Sequence, residues 1–495
     1  MTIFRPGLRR AVFARVMLCT LATLFAGCER SSRREAAKPR TGKYNVVLIT
    51  IDTLRADHLG CYGYFRDTSP NMDALAHESV LFENAYAPMA TTLPSHTSIM
   101  TGTHPLEHGI LANVGDGGRP FRPTERLKTF AQFASTGGYK TAAFVSAAPL
   151  ASDGGLNVGF DVYNEPSAEM RRAPATTSAA LKWLDGVGDE RFFLFVHFFD
   201  PHTPYRPPPP YDSLFSDDPQ LEQFLADREI PQRVEPDLCK GRHPTITRSA
   251  TNLYDGEIRY TDEHIKKLLD RLAALGLTDK TIIVLTADHG EGLGQHNWPQ
   301  HGRVWNEQLH VPLMIRFPGA ENIKPRRIPL LVSLLDVMPT VVAHLSADWA
   351  PAFAEQASGR NVLVANFEPS PVLSHRSARD CGDNSGPRDA LTTPGWRFLA
   401  YPRHGHLLFD LTTDPYELQN TFVPDSEAAT RWIETRKRIV RAYKTRGVRL
   451  REGMSTEAVA LSRQRIQQLQ SIGYTGDATD VVEPNVPAES DDEKP

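Results

Sequence analysis

Three positions in this chain combine residue type and spacing in a way suited to chemistry: Asp52, the pair Asp288-His289, and Thr92 between them in sequence. Val46 to Ile51 and Thr281 to Ala287 are almost wholly apolar runs, and each stops at one of the carboxylates. Runs of that kind read as buried parallel strands, which deliver a terminal side chain to the active edge of a sheet. Thr92 opens the stretch Thr92-Leu93-Pro94-Ser95-His96, just before a predicted helix. Hard oxygen ligands, one imidazole and a hydroxyl aimed at the same place describe a metal-activated nucleophile, and so a hydrolase. The plain structural readings are a strand-end cap for Asp288-His289 and a helix N-cap for Thr92; the second is compatible with chemistry.

The elements that position these groups follow from periodicity. Lys140–Val145, Arg191–Phe199, Thr281–Thr286 and Val311–Phe317 read as strands, while Asp73–Phe82 carries apolar residues at helical spacing. Tyr254–Leu275 is amphipathic through Ile258, Leu268, Leu269, Leu272 and Leu275. Strands separated by helices predict an α/β fold with a large, mostly parallel sheet and sites at the strands' carboxyl ends. Four consecutive prolines place 204–217 in a loop. A composition shift near Asp348–Arg360 predicts a boundary between a catalytic domain over 43–350 and a small antiparallel unit over 360–425. Strands are expected there at Pro371–Ser374, Trp396–Tyr401 and His406–Asp410. Helices follow at Ala428–Lys444 and Ser455–Gln470, within 426–476, and then an acidic tail over 477–495 that is expected to be disordered.

With 495 residues, 40% hydrophobic, the chain can bury a sizeable core, and its net charge of −4 argues against a basic nucleic-acid surface. Arg5, Arg9, Arg10 and Arg15 precede the apolar stretch Val16–Gly27, which is shorter than the ~20 residues of a spanning helix. Residues 1–27 therefore read as a secretory signal. Leu24-Phe25-Ala26-Gly27-Cys28 resembles the bacterial lipobox, which implies a lipid anchor on Cys28 and a location on the periplasmic or cell-surface face of a bacterial membrane. Residues 28–42 would then form a basic tether. Cys61, Cys239 and Cys381 make no disulfide framework. Whether Cys239 pairs with Cys381 is left open.

The segment Asp52–Gly63, Thr68-Ser69-Pro70-Asn71, Leu93-Pro94-Ser95 with Thr101-Gly102, and Asp200-Pro201-His202-Thr203-Pro204-Tyr205 form an ordered series. Asp288-His289-Gly290-Glu291, His310-Val311-Pro312-Leu313 and Leu335-Asp336-Val337-Met338-Pro339-Thr340 continue it. Together they resemble the sulfatase family of the alkaline phosphatase superfamily, from about Asn45 through the Leu411–Asn420 segment. The resemblance implies that family's sandwich fold, with helices flanking the large sheet and a small C-terminal antiparallel subdomain. It also implies a metal held by Asp52, Thr92, Asp288 and His289. Thr53 stands where many sulfatases have a further aspartate, and His289 where many have asparagine. Trading a carboxylate for an imidazole favours Zn²⁺ or Mn²⁺ over Ca²⁺.

Thr92 is the main departure, because sulfatases convert a cysteine or serine there to formylglycine and a threonine should remain an alcohol. The resemblance gives catalytic roles to Thr92, His202 and His301, and substrate contacts to His96, His202 and His301; Arg55, three residues after Asp52, is read either as a substrate contact that reaches the transferred group or as a surface ion pair. Imidazoles replace the family's arginine and lysines, so the pocket holds less fixed positive charge and suits a monoanionic ester. One ion is expected; a second could use Asp200, His202, His301 or His296. Three readings follow: a phosphate-ester hydrolase favouring a phosphodiester or phosphonate ester, a sulfatase working without formylglycine, and a non-catalytic binding protein that kept the fold. For the enzymes, the substrate would be a small-molecule, glycan or lipid ester.

Overall fold

A computed structural model describes residues 42–114, 118–166, 170–216, 218–234, 245–377, 388–401 and 405–455. The signal, Cys28, the tether, Cys239, Cys381, the helix expected beyond Ser455 and the acidic tail lie outside the described residues. In chain order the strands are β1 (Asn45–Ile51), β2 (Val80–Tyr86), β3 (Lys140–Phe144), β4 (Val162–Asn164), β5 (Phe192–Phe198), β6 (Arg233–Val234) and β7 (Thr245–Ile246). They continue with β8 (Thr281–Ala287), β9 (His310–Arg316), β10 (Arg326–Ser333), β11 (Val372–His375), β12 (Asp389–Thr393), β13 (Trp396–Ala400) and β14 (Leu407–Asp410).

Eight strands build the main sheet in the order β10-β2-β9-β8-β1-β5-β3-β4. β1 lies at its centre, parallel to both β5 and β8, and all three are buried along their whole length. That burial is why their sequences are apolar runs instead of alternating patterns. Only β9 opposes its neighbours, pairing antiparallel with β8 and β2. Register decides the site: Ile51 pairs with Phe198 on one side and Ala287 on the other, so the residues after them emerge level at one edge. A 28-residue helix, Thr247–Ala274, buries Tyr254, Ile258, Ile265, Leu268 and Leu272 in the core.

β11 to β14 form the second sheet, an antiparallel meander. The helix Glu427–Leu450 sets Trp432, Ile439 and Tyr443 against its Leu373, Leu391 and Phe398. β12 escaped the sequence reading because its Asp389-Ala390-Leu391-Thr392-Thr393 run is short and mixed.

One expected helix is shorter than its pattern. The segment from Asp73 splits after His77, and Val80–Phe82 belong to β2, paired on both sides with β9 and β10. Two strand partners outweigh helical spacing for a valine and a phenylalanine. Within the expected boundary region, Ala350–Gln356 is a helix whose Phe353 is buried and whose Gln356 donates to Thr101 O and Lys128 O. Among the described residues no helix is long and apolar enough to cross a membrane.

Candidate active site

Asp52 follows β1 with its N–H bonded to Phe198 O at 2.9 Å, and Asp288 follows β8. One oxygen from each and one nitrogen of His289 lie within 4.8 Å of one another, fully buried. His289 Nδ1 donates to Gly290 O at 3.0 Å, which turns the Nε2 lone pair toward Asp288 Oδ2 (3.4 Å) and Asp52 Oδ1 (3.9 Å). Asp288 Oδ1 accepts from the backbone of His289 (2.9 Å) and Thr53 (3.3 Å). Neither oxygen of Asp52 nor Oδ2 of Asp288 takes a hydrogen bond from the described residues. Burial pushes both carboxyl groups well above the ordinary range, and the charge of Asp52 adds to the effect on Asp288. Two buried carboxylates and an imidazole lone pair aimed at each other are costly unless one cation satisfies all three. The donor set therefore fits a divalent metal ion.

Thr92 heads the helix Thr92–Thr101, and the N-cap position belongs to Thr91. Gly102, at φ 68°, closes the helix in the left-handed conformation that favours glycine. The first turn is fastened to the β8 tip: Ser95 Oγ donates to Asp288 O at 2.7 Å. His96 Nδ1 donates to Thr92 O at 2.8 Å and lies 3.5 Å from Asp288 Oδ2, while Nε2 accepts from Thr50 Oγ1 at 2.9 Å. Both nitrogens of His96 are thus engaged, and burial pushes the ring well below the usual imidazole range. The structure thus places His96, expected as a substrate contact, between Thr92 O and Thr50 Oγ1 beside Asp288.

His202 and His301 meet with their Nε2 atoms 3.1 Å apart, and the His301 ring lies 4.5 Å from that of His289. His202 Nδ1 faces Thr203 O and His301 Nδ1 faces Ala90 O at 3.2 Å; carbonyls only accept, so both Nδ1 atoms carry hydrogen. The 3.1 Å contact between the two Nε2 atoms is a hydrogen bond when one of them carries hydrogen.

The remaining expected residues are placed elsewhere. Arg55 holds Asp57 through Nε (2.9 Å) and Nη2 (2.8 Å) and reaches Gln295 Oε1 at 3.1 Å. It lines a cavity of about 490 Å³ with Asp57, Asn306 and Tyr416, to which Asp52, Asp288 and His289 do not contribute. The expected second-ion set is not assembled either. Asp200 is bound by Arg172 at 2.9 Å and by Ala173 N at 3.0 Å. His296 stacks on Trp305 at 3.9 Å and pairs with Glu307 at 3.2 Å.

Sequence reasoning missed His197. Its Nδ1 accepts from Ser146 N at 3.3 Å, so its Nε2–H faces Asp52 Oδ2 at 3.5 Å. Burial pushes this imidazole down to about 3, which keeps it neutral. The signal was available: His197 is the lone polar residue in the run Phe192–Phe199. It pairs in register with Thr50, two residues before Asp52.

The family described as Sulfatase matches residues 44–347. An arylsulfatase of Clostridium perfringens is 25% identical, over 76% of this chain and 90% of its own length. An ulvan-active sulfatase of Formosa agariphila is also 25% identical, over 76% of this chain and 77% of its own. The fold is similar to that of a phosphonate monoester hydrolase of Agrobacterium radiobacter, with a TM-score of 0.64 at 21% identity, covering 81% and 96% of the two chains. The buried Asp52–Asp288–His289 cluster at the sheet edge and the family match along most of the main sheet lead to one conclusion: the chain belongs to the sulfatase family of the alkaline phosphatase superfamily, metal-dependent hydrolases of ester bonds.

Proposed function

We propose that this protein hydrolyses a phosphate ester, preferably a phosphodiester or a phosphonate ester, with the hydroxyl of Thr92 as nucleophile. The observation that carries the reading is a threonine alcohol at the head of a helix tied to Asp288 by Ser95 and His96. A divalent ion held by Asp52, Asp288 and His289, with Zn²⁺ or Mn²⁺ preferred to Ca²⁺, supplies Lewis acidity and neutralises developing negative charge. The chain's own groups do the rest. Thr92 Oγ1 gives up its proton to solvent and attacks phosphorus in line, forming a covalent phosphothreonine ester as the P–O bond to the leaving alcohol breaks. A proton held between His202 and His301 passes to the departing oxygen; the same pair then takes a proton from the water that attacks phosphorus, and the released Thr92 oxygen regains a proton from solvent.

The low fixed charge supports the substrate class. His96 is neutral and Arg55 is bound to Asp57, so neither adds a free cation to the cluster. A sulfuric ester hydrolase working without formylglycine is the second reading, favoured by the arylsulfatase relative. Purified protein assayed in parallel on an aryl phosphodiester, an aryl phosphonate, an aryl phosphate and an aryl sulfate separates the two. The proposal expects phosphodiester or phosphonate turnover to exceed sulfate turnover at least tenfold, with none in Thr92→Ala; the reverse order establishes the sulfatase. The same reading retains the lipid anchor at Cys28, which mass spectrometry of membrane-extracted protein would detect as a diacylglyceryl adduct.

A further inference from the structure

The outward face of the helix Glu427–Leu450 has no role in the site. Arg431, Lys437, Arg438, Arg441, Lys444 and Arg449 are all exposed, against two exposed acids, Glu427 and Glu434. At 1.5 Å per residue the helix is about 36 Å long, and at about 100° per residue these six side chains fall within about 140° of one side. Glu427 offsets Arg431 and Glu434 offsets Lys437. Among the described residues no carboxylate pairs with Arg438, Arg441, Lys444 or Arg449. On a chain whose net charge is −4, this is a concentrated cationic strip. Val448 stands within it at 69% exposure, the most exposed of the large apolar side chains among the described residues.

We propose that this face docks on an anionic lipid bilayer and orients the enzyme on the membrane. A straight row of cations matches a plane of anionic headgroups, and an apolar side chain among them matches the interface beneath. The geometry at the start of the described chain agrees. Gly42 lies against Tyr139, which packs on Trp349 at the head of the helix Ala350–Gln356. Arg446 of the basic helix donates to Glu355 O (3.1 Å) and Ala357 O (3.2 Å) at the far end of that same helix. One two-turn helix thus separates the basic strip from the point where the preceding segment, carrying Arg30, Arg33, Arg34, Lys38 and Arg40, joins the fold.

The test uses the chain from residue 29, without an acyl group, in flotation with vesicles of phosphatidylcholine alone or with roughly one third phosphatidylglycerol. Wild type should float with the anionic vesicles only and be released by 0.5 M NaCl. R438E/R441E/K444E should lower that binding at least tenfold while its melting temperature and hydrolytic rate stay unchanged. The basic segment before residue 42 is present in both proteins, so its contribution cancels. Equal binding by the triple variant, or equal partition to neutral vesicles, overturns the proposal. So does tight binding of a soluble sulfated polysaccharide with none to anionic vesicles, which would assign the face to a glycan.

Discussion

At the scale of single residues, each polar group at the site is defined by what its other end holds. His289 presents Nε2 because Gly290 O takes Nδ1, and His197 presents Nε2–H because Ser146 N occupies Nδ1. Thr92→Ala should reduce turnover at least a thousandfold without changing the melting temperature, measured by assay and calorimetry on the same preparation. Full activity in that variant would falsify the nucleophile assignment. His197→Ala removes the group facing Asp52 Oδ2, and metal affinity should fall 10–100-fold, read by competition with a chelating dye. Unaltered affinity would reduce His197 to a packing residue.

At the scale of elements, the second sheet and the C-terminal helix are joined at a buried carboxylate whose pH response is specific. Asp389 on β12 is held by His375 at 2.6 Å and by Arg436 of the helix at 2.6 Å. Burial alone would raise this carboxyl, but the hydrogen bond from His375 and the Arg436 guanidinium override it and hold it below the usual carboxylate range. A depressed folded value means that the stabilisation is complete above the unfolded value near 4 and is lost as pH falls below it. Asp389→Ala at pH 7 should cost about 3 kcal/mol, as for other broken buried pairs, measured by urea unfolding. That penalty should shrink as pH falls below about 4, where the unfolded chain takes up a proton that the paired carboxylate of the folded state does not.

For the molecule as a whole, two predictions concern bound ions and protons. A cation that binds only the folded state stabilises it, by about 3–4 kcal/mol at 100–1,000 times its dissociation constant. EDTA should therefore lower both melting temperature and activity, with Zn²⁺ or Mn²⁺ restoring them better than Ca²⁺. A melt that ignores both chelator and metals would remove the ion from this fold. His104 is fully buried, accepting from Leu106 N at Nδ1 and donating to Leu373 O at Nε2. Burial pushes it down to about 3. Its unfolded form takes up a proton near pH 6.5, so stability falls as pH drops below that value, by about 1.4 kcal/mol per pH unit for each such histidine. His104→Gln should flatten the decline of melting temperature between pH 6.5 and 4.

The sequence alone determined the α/β class, the strands β1, β5 and β8, and the carboxylates at their ends, because a strand buried on both faces must be apolar until it surfaces. It also determined that position 92 carries an alcohol. Tertiary structure alone decided which partner each imidazole meets. His96 and His202 look alike as letters, yet one spends both nitrogens on Thr92 O and Thr50 while the other meets His301, 99 residues away, Nε2 to Nε2. The partners of Arg55, Asp200 and His296, namely Asp57, Arg172 and Glu307, likewise appear only in the fold. Burial makes every such polar group find a partner, and partners distant in sequence meet only once the sheet order and register are fixed.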